Sequence, residues 1–473
     1  MNNENTGQEL ERGLSNRHIQ LIAIGGAIGT GLFLGSGKSI SLAGPSILIA
    51  YMIAGGILFL VMRALGELLI SDLSYHSFVD FTKEFLGERW AFLVGWTYWF
   101  CWACVAMADL TAIGIYMDFF VPGIPGWIPG VIALVVLVLL NLLTVKLFGE
   151  IEFWFALIKI IAILALIVIG LYLIITGIQY TATNTVTGVK ETVVANFSNL
   201  WSRGGLFPNG FGSFLLAFQM VVFAFAGIEM VGLTAGETAD PEKTLPKAIN
   251  NIPIRILIFY LGALFVIMCI YPWDVVNPEE SPFVNVFKAA GITSAATIVN
   301  IVVLTSAASA GNSAVFSTSR MLYSLAQNDD APQYFKHISG RKVPDRATIF
   351  SALIVLIAIG IQTVVPNASK VFTIIATMST LCFMFIWTAI TLSHLKYRKA
   401  KPEVSANSKF KMPFAPYSNY LILAFLAAVL VILPFDPETV KALVAMPVWF
   451  IGLLIAYQFV SKKRDAKLGI KES

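Results

Sequence analysis

The 473 residues are 57% hydrophobic and only 13% charged, with a mean hydropathy of +0.78. That balance excludes a soluble globular protein and points to a chain that crosses a bilayer many times. The formal net charge is +4; no nucleic-acid partner is expected, and where Lys and Arg fall along the chain matters more than their sum.

Apolar runs of about 20 residues, the length of a spanning helix, lie near 18–38, 44–70, 91–120, 128–146, 151–177, 210–238, 252–272, 293–324, 347–365, 370–396, 417–434 and 441–461. The expected fold is therefore an all-α polytopic membrane protein of twelve transmembrane helices. The polar start, 1–17, reads as a tail, and the first apolar run lacks a small-residue cleavage site, so it is expected to stay.

That first run contains IGGAIGTGLFLGSG (Ile24 to Gly37), with Gly25, Gly26, Gly29 and Gly31 where a helix interior should be. Glycine costs about 1 kcal/mol relative to alanine there. Backbone opened within lipid is tolerated only where protein or an aqueous cavity satisfies its N–H and C=O groups. A mid-membrane break is expected, whose two half-helix ends suit a carboxylate and an ammonium. The alternative is that the small residues only let two helices pack closely.

The sixth run repeats the signal. Phe223-Ala224-Phe225-Ala226-Gly227-Ile228-Glu229 is followed by Gly232 and Gly236. Breaks in helices one and six, with starts five helices apart, are what two inverted five-helix repeats produce. The expected divisions are a first repeat over 18–177, an extracellular loop over 178–209, a second repeat over 210–396, a cytoplasmic loop over 397–416, two last helices over 417–461 and a tail over 462–473.

Twelve spans put both termini on one side. Of the 32 Lys and Arg, 25 fall on that side and six on the other, namely Lys38, Lys190, Arg203, Lys288, Lys370 and Lys441. Cytoplasmic termini follow from the positive-inside rule. The remaining one, Lys159, lies about nine residues, or ~13 Å, inside the fifth helix. An ammonium at that depth costs several kcal/mol unless it pairs, meets carbonyls or gives up its proton; the alternative is a shallow lysine at a misplaced helix end. Asp109 in the third helix and Glu229 in the sixth are carboxylates in the same situation.

Other chemistry is sparse. Cys101, Cys104, Cys269 and Cys382 all lie in apolar runs, and the CxxC spacing of the first two lacks a second pair, so they read as core. His18, His76, His337 and His394 fall at cytoplasmic ends or loops without ligand spacing, and no Walker A pattern is present. No metal, cofactor or enzymatic activity is expected.

NRHIQLIAIGGAIGTGLF (Asn16 to Phe33), FGEIEFWFALIKI (Phe148 to Ile160), FAFAGIEMVG (Phe223 to Gly232), ETADPEKTLPKAIN (Glu237 to Asn250) and LTSAASAGNSAVFSTSRMLYSLA (Leu304 to Ala326) resemble the amino acid permeases of the amino acid–polyamine–organocation superfamily, in the bacterial proton-coupled branch. GSGKSISLAGPSI (Gly35 to Ile47) and GWTYWFCW (Gly95 to Trp102) look most like members that carry D-serine, D-alanine and glycine rather than aromatic, lysine or γ-aminobutyrate permeases. The resemblance implies a five-plus-five inverted repeat of the LeuT kind with substrate at the bilayer midplane. It implies a substrate carboxylate at Ile28, Gly29, Thr30 and Gly31, and an α-ammonium at the carbonyls of Ala27, Phe223 and Ala226. Asp109 is carried with the substrate-binding set. Phe223 takes the place of an aromatic gate, and Lys159 that of a sodium ion bridging helices one, five and eight in sodium-coupled relatives. Thr305-Ser306-Ala307-Ala308-Ser309 forms the helix-eight wall.

The expected function is import of a small neutral amino acid by proton symport through Lys159, with Glu229 as a second candidate for coupling. The partners are the amino acid, the proton and the bilayer. An amino acid exchanger and a permease for aromatic residues or γ-aminobutyrate remain alternatives, as does a transporter-like sensor, which would be expected to carry an added cytoplasmic domain.

Overall fold

The computed structural model describes residues 28–75, 77–230, 240–362 and 367–468. Among them, eight helical stretches are long and apolar enough to cross a membrane: Gly35–Ser71, Glu88–Asp118, Lys146–Thr176, Pro241–Ile270, Thr293–Gln327, Ala368–Ala400, Tyr417–Phe435 and Pro437–Arg464. Trp127–Asn141 and Gly210–Phe223 are shorter apolar helices, and Asp345–Gln362 runs to the edge of the described residues. Gly35–Ser71 takes in the end of the first expected run and the whole of the second, joined through the tight turn Gly44–Ser46. Gly44 has φ +59, and a Cβ there would lie 2.4 Å from Cγ of Pro208.

The Val145–Thr176 helix shows what solvent these helices are built for. Its exposed face carries Trp154, Ile161, Leu164, Val168, Tyr172 and Ile175, with Ile175 78% exposed, while Glu152 and Lys159 on the inner face are 3% and 1% exposed. This polarity is the inverse of a water-soluble helix and fits one that meets hydrocarbon outside and polar partners inside.

Glu88–Asp118, Thr293–Gln327 and Ala368–Ala400 form the enclosed centre, where much of the contact is made by small side chains. Ser306, Ala307, Ser309, Gly311, Ser313, Ala314 and Ser317 are all buried along the second of these. At Gly95, a Cβ would come within 2.7 Å of Leu325 Cδ2, so the first two helices approach as closely as glycine permits. The four cysteines are buried and free.

The expected all-α description needs one correction. Within 178–209, strands β1 (Gln179–Thr183) and β2 (Lys190–Val194) pair antiparallel, with Tyr180 opposite Val193. Alternation explains it, since Tyr180 and Val193 turn inward and their neighbours face outward. Tyr180 Oη donates to the Ile270 carbonyl at 2.6 Å, and Arg203 ties the hairpin to the 274 turn through Glu191 at 2.8 Å and Asp274 at 2.7 Å. Accepting from Arg203 holds the Glu191 carboxyl below its ordinary range.

At the basic end of the bundle, a second buried charge fixes the segment between the Ala368–Ala400 and Tyr417–Ile432 helices. Glu67 is completely buried. Its Oε2 accepts from the Met412 N–H at 2.6 Å and lies 3.0 Å from His394 Nε2, and its Oε1 accepts from Ser405 Oγ at 3.2 Å. The Asn419 amide donates to His394 Nδ1 at 3.0 Å, which leaves the imidazole proton on Nε2, facing Glu67. His394 thus lies in the last turns of Ala368–Ala400 but is fully buried there.

Candidate functional site

The helix that begins at Gly210 ends at Phe223, and Ala224 to Glu229 form turns before Met230. Gly227 has φ +92, a conformation that only glycine adopts without strain, so the FAFAGIE sequence breaks the helix at its glycine. The Ala224 carbonyl, released from helical bonding, accepts from Tyr260 Oη at 3.0 Å. Opposite this turn Gly29 is extended and a short helix starts at Thr30. The helix start at Thr30 and the turn after Phe223 touch. A Cβ on Gly31 would lie 2.6 Å from Ala224 Cα and 3.1 Å from Phe223 Cδ1, whereas one on Gly29 would meet only Ala310 Cβ at 3.6 Å. Gly31 therefore has a packing reason to be glycine that the sequence did not reveal.

Between these two segments lies a small cavity of about 20 Å³, walled by Gly29, Thr30 and Gly31, by Phe223 and Ala226, and by Asp109 and Trp102 from Glu88–Asp118. This is room for about one water, so the walls must part before an amino acid fits. Thr30 Oγ1 donates to Asp109 Oδ1 at 2.6 Å. Asp109 is 1% exposed, and among the described residues its Oδ2 has no hydrogen-bond partner. Such an oxygen is costly to leave unmet. Phe223 packs edge-on against Phe372, ring centroids 5.9 Å apart, and closes one side.

Lys159 sits in an adjoining polar seam. Its Nζ donates to Ser309 Oγ at 2.9 Å, Ser309 donates to Glu152 Oε2 at 2.7 Å, and Asn312 Nδ2 donates to Glu152 Oε1 at 2.8 Å. Asn141 Nδ2 in turn donates to Asn312 Oδ1 at 2.7 Å. One turn away on the same helix Ser306 Oγ donates to the Ile28 carbonyl at 3.2 Å. Thr293–Gln327 thereby links the chain beside Gly29 to the lysine of Val145–Thr176.

Of the residues singled out in the sequence, Gly29, Thr30, Gly31, Asp109, Phe223 and Ala226 meet around the cavity. Ile28 contributes its carbonyl to Ser306, and Lys159 lies in the seam. Glu229 is elsewhere: it is fully buried, with Tyr98 Oη at 3.4 Å from its Oε1, and it does not line the cavity. Ala27 and the glycine pair Gly25-Gly26 lie outside the described residues, as do His18, His76, Gly232 and Gly236. Sequence reasoning missed Glu152. Its signal was the seven-residue spacing to Lys159, two turns on one face of a helix. Among the described residues no group of acidic, His and Cys side chains is arranged to hold a metal.

Comparison with known proteins agrees with this architecture. The family model "Amino acid permease" matches residues 18–469. The chain is 61% identical over 468 residues to the transporter YdgF of Bacillus subtilis, covering 99% of each chain. It is 59% identical to the amino-acid permease AapA of the same organism, covering 96% of each. Against the D-serine/D-alanine/glycine transporter of Escherichia coli O6:H1 it is 51% identical, over 98% of this chain and 96% of that one. These relatives are named as permeases and transporters, not enzymes. A chain with eight membrane-length apolar helices among its described residues, matched along nearly its whole length, belongs to the amino acid permease family of the amino acid–polyamine–organocation superfamily.

Proposed function

We propose that this permease imports small neutral amino acids, D-alanine, D-serine and glycine, by proton symport with alternating access. In this reading the chain has twelve spans with both termini cytoplasmic, and its first ten helices form the inverted repeats over 18–177 and 210–396. The substrate carboxylate meets backbone around Ile28 to Gly31, the ammonium meets carbonyls of Ala27, Phe223 and Ala226, and Asp109 Oδ2 is a further acceptor beside them.

The observation that carries the reading is the placement of Lys159, buried and hydrogen-bonded to Ser309 on a helix that also holds the Ile28 carbonyl through Ser306. A charged lysine there braces the seam, and proton loss loosens it, so protonation and the arrangement of the first helix are coupled. Coupling of this kind is reciprocal: substrate binding also favours the protonated lysine. Closure by Phe223 and Phe372 around a small space supports a small side chain. The likeness to the D-serine/D-alanine/glycine transporter points the same way.

The test is uptake of labelled glycine, D-alanine, D-serine, L-phenylalanine and L-lysine into reconstituted vesicles, with and without an imposed pH gradient. The first three should accumulate only with the gradient, and Lys159→Ala should lose that response. Gradient-driven glycine accumulation by Lys159→Ala refutes the coupling role, and competition by tryptophan as strong as that by glycine refutes the substrate class.

A further inference from the structure

We infer that Glu152 is the group that takes the proton from Lys159 and passes it toward the cytoplasm, with the Ser309 hydroxyl as the bridge; this rests on the symport reading above. The Val145–Thr176 and Thr293–Gln327 helices run antiparallel, as the pairings 159 with 309, 152 with 312 and 148 with 316 show, so the seam is a stack of layers. Lys159 and Ser309 form one. Glu152, Asn312 and, through Asn312, Asn141 form the next, in the direction of the basic end; Glu152 lies two helical turns before Lys159, and both side chains reach Ser309.

Only a hydroxyl can accept from an ammonium and donate to a carboxylate through one atom, and Ser309 does both here. The transfer balances. Lys159 gives a proton to Ser309 Oγ as Ser309 gives its own to Glu152 Oε2, leaving a neutral amine, an unchanged hydroxyl and a carboxylic acid. Glu152 then returns to carboxylate by giving its proton to water on the cytoplasmic side.

The surroundings suit the role. The other groups that face Glu152 are uncharged: the amide of Asn312, Asn141 behind it, and the Ser313 hydroxyl on the next residue of the same helix. Asp109 stands on the cavity side of Lys159, and Glu150, two residues before Glu152, belongs to a different face of the helix. One turn beyond, the rings of Phe148 and Phe316 stack 3.9 Å apart, and the Arg320 guanidinium covers Phe316 at 3.3 Å. This stack separates Glu152 from the basic end, so release requires it to part. A proton leaving Lys159 thus has a holding place behind a closed door, which prevents leakage while the cavity faces outward.

The experiment uses full-length protein in vesicles and labelled glycine, comparing uptake driven by a pH gradient with exchange of glycine at equal pH, which needs no net proton transfer. Glu152→Gln keeps an acceptor for Ser309 but takes no proton. Driven uptake and its accompanying proton influx should fall at least tenfold while exchange persists. Ser309→Ala should show the same split and Ser309→Thr should restore driven uptake. A wild-type protein indifferent to the gradient overturns the symport reading and the relay with it. A responsive wild type with Glu152→Gln accumulating glycine at an equal rate overturns the relay alone. Should Glu152→Gln lose exchange as well, Ser309→Ala decides: the split supports the relay, and wild-type driven uptake overturns it.

Discussion

Glu67 and Asp109 are both carboxylates sunk among membrane helices, yet their surroundings differ. Glu67 has both oxygens engaged, by Ser405, the Met412 N–H and a histidine whose other nitrogen is itself held by Asn419. Asp109 has one oxygen engaged by Thr30 and the other bare beside a cavity. Burying charge is expensive in either place. At Glu67 the partners are fixed parts of the chain, and the result is a clasp between one helix and a distant segment. At Asp109 only Thr30 is fixed, and the second oxygen is left for a substrate in the reading proposed above. The lesson is that a buried acid in a transporter is read by how many of its lone pairs the protein already fills.

The comparison breaks most visibly at Glu67. Glu67→Ala strands His394 and the Met412 N–H in the interior, at a cost of about 3–5 kcal/mol for breaking a buried charged cluster. Thermal melting of detergent-solubilised protein should show a large loss, and amides around 405–412 should exchange faster; Asp109→Asn should change neither much while weakening glycine binding.

The next contrast is between two glycines. Gly31→Ala forces a methyl into the backbone at Ala224, an overpacking worth about 1–3 kcal/mol, so glycine binding should weaken roughly ten- to hundredfold. Gly29→Ala places its methyl in ordinary contact with Ala310, and binding measured the same way should stay close to wild type. Equal loss at both would show that backbone approach to the substrate, rather than contact between Gly31 and Ala224, sets the requirement.

A smaller effect is expected at the aromatic closure. Phe223→Ala removes the ring that meets Phe372, and L-phenylalanine should then compete with glycine at least threefold better than it does at the wild type.

The smallest concerns Asp330, in the loop after Thr293–Gln327. Burial pushes its carboxyl up to about 6, against the pull of Arg464. The folded state therefore holds a proton that the unfolded chain has already released, so stability is lost as pH rises from about 4 through 6. Asp330→Asn should raise the melting midpoint by a few degrees at pH 8 and leave it unchanged at pH 4.

Much of this was legible in the sequence for physical reasons. Apolar runs announce spans because lipid demands about 20 residues of them, and the FAFAGIE glycine announces a break because only glycine accepts the conformation found at Gly227. Lys159 stood out as the one basic residue deep within an apolar run, and Asp109 as an isolated carboxylate among apolar residues. Partners remote in sequence were not legible. Nothing near Glu67 points to Met412, and nothing near Gly31 points to Ala224. Glu152 was within reach through its spacing to Lys159 but was not singled out, because only its pairing with Ser309 and Asn312, far away in the chain, shows that it faces inward. The β1–β2 hairpin was hidden in a segment whose polarity suggested only a loop.

The row of serines, alanines and glycine along Thr293–Gln327 has a mechanical consequence. Interlocked leucines resist displacement, since each knob must leave its hole before the next can enter. Methyl and hydroxymethyl groups present a shallow surface, and a helix clothed in them can slip along its neighbours by small steps with little steric resistance. The helix that carries Ser306 and Ser309 is thus a smooth runner, and the polar contacts at those two serines are the detents at which it stops.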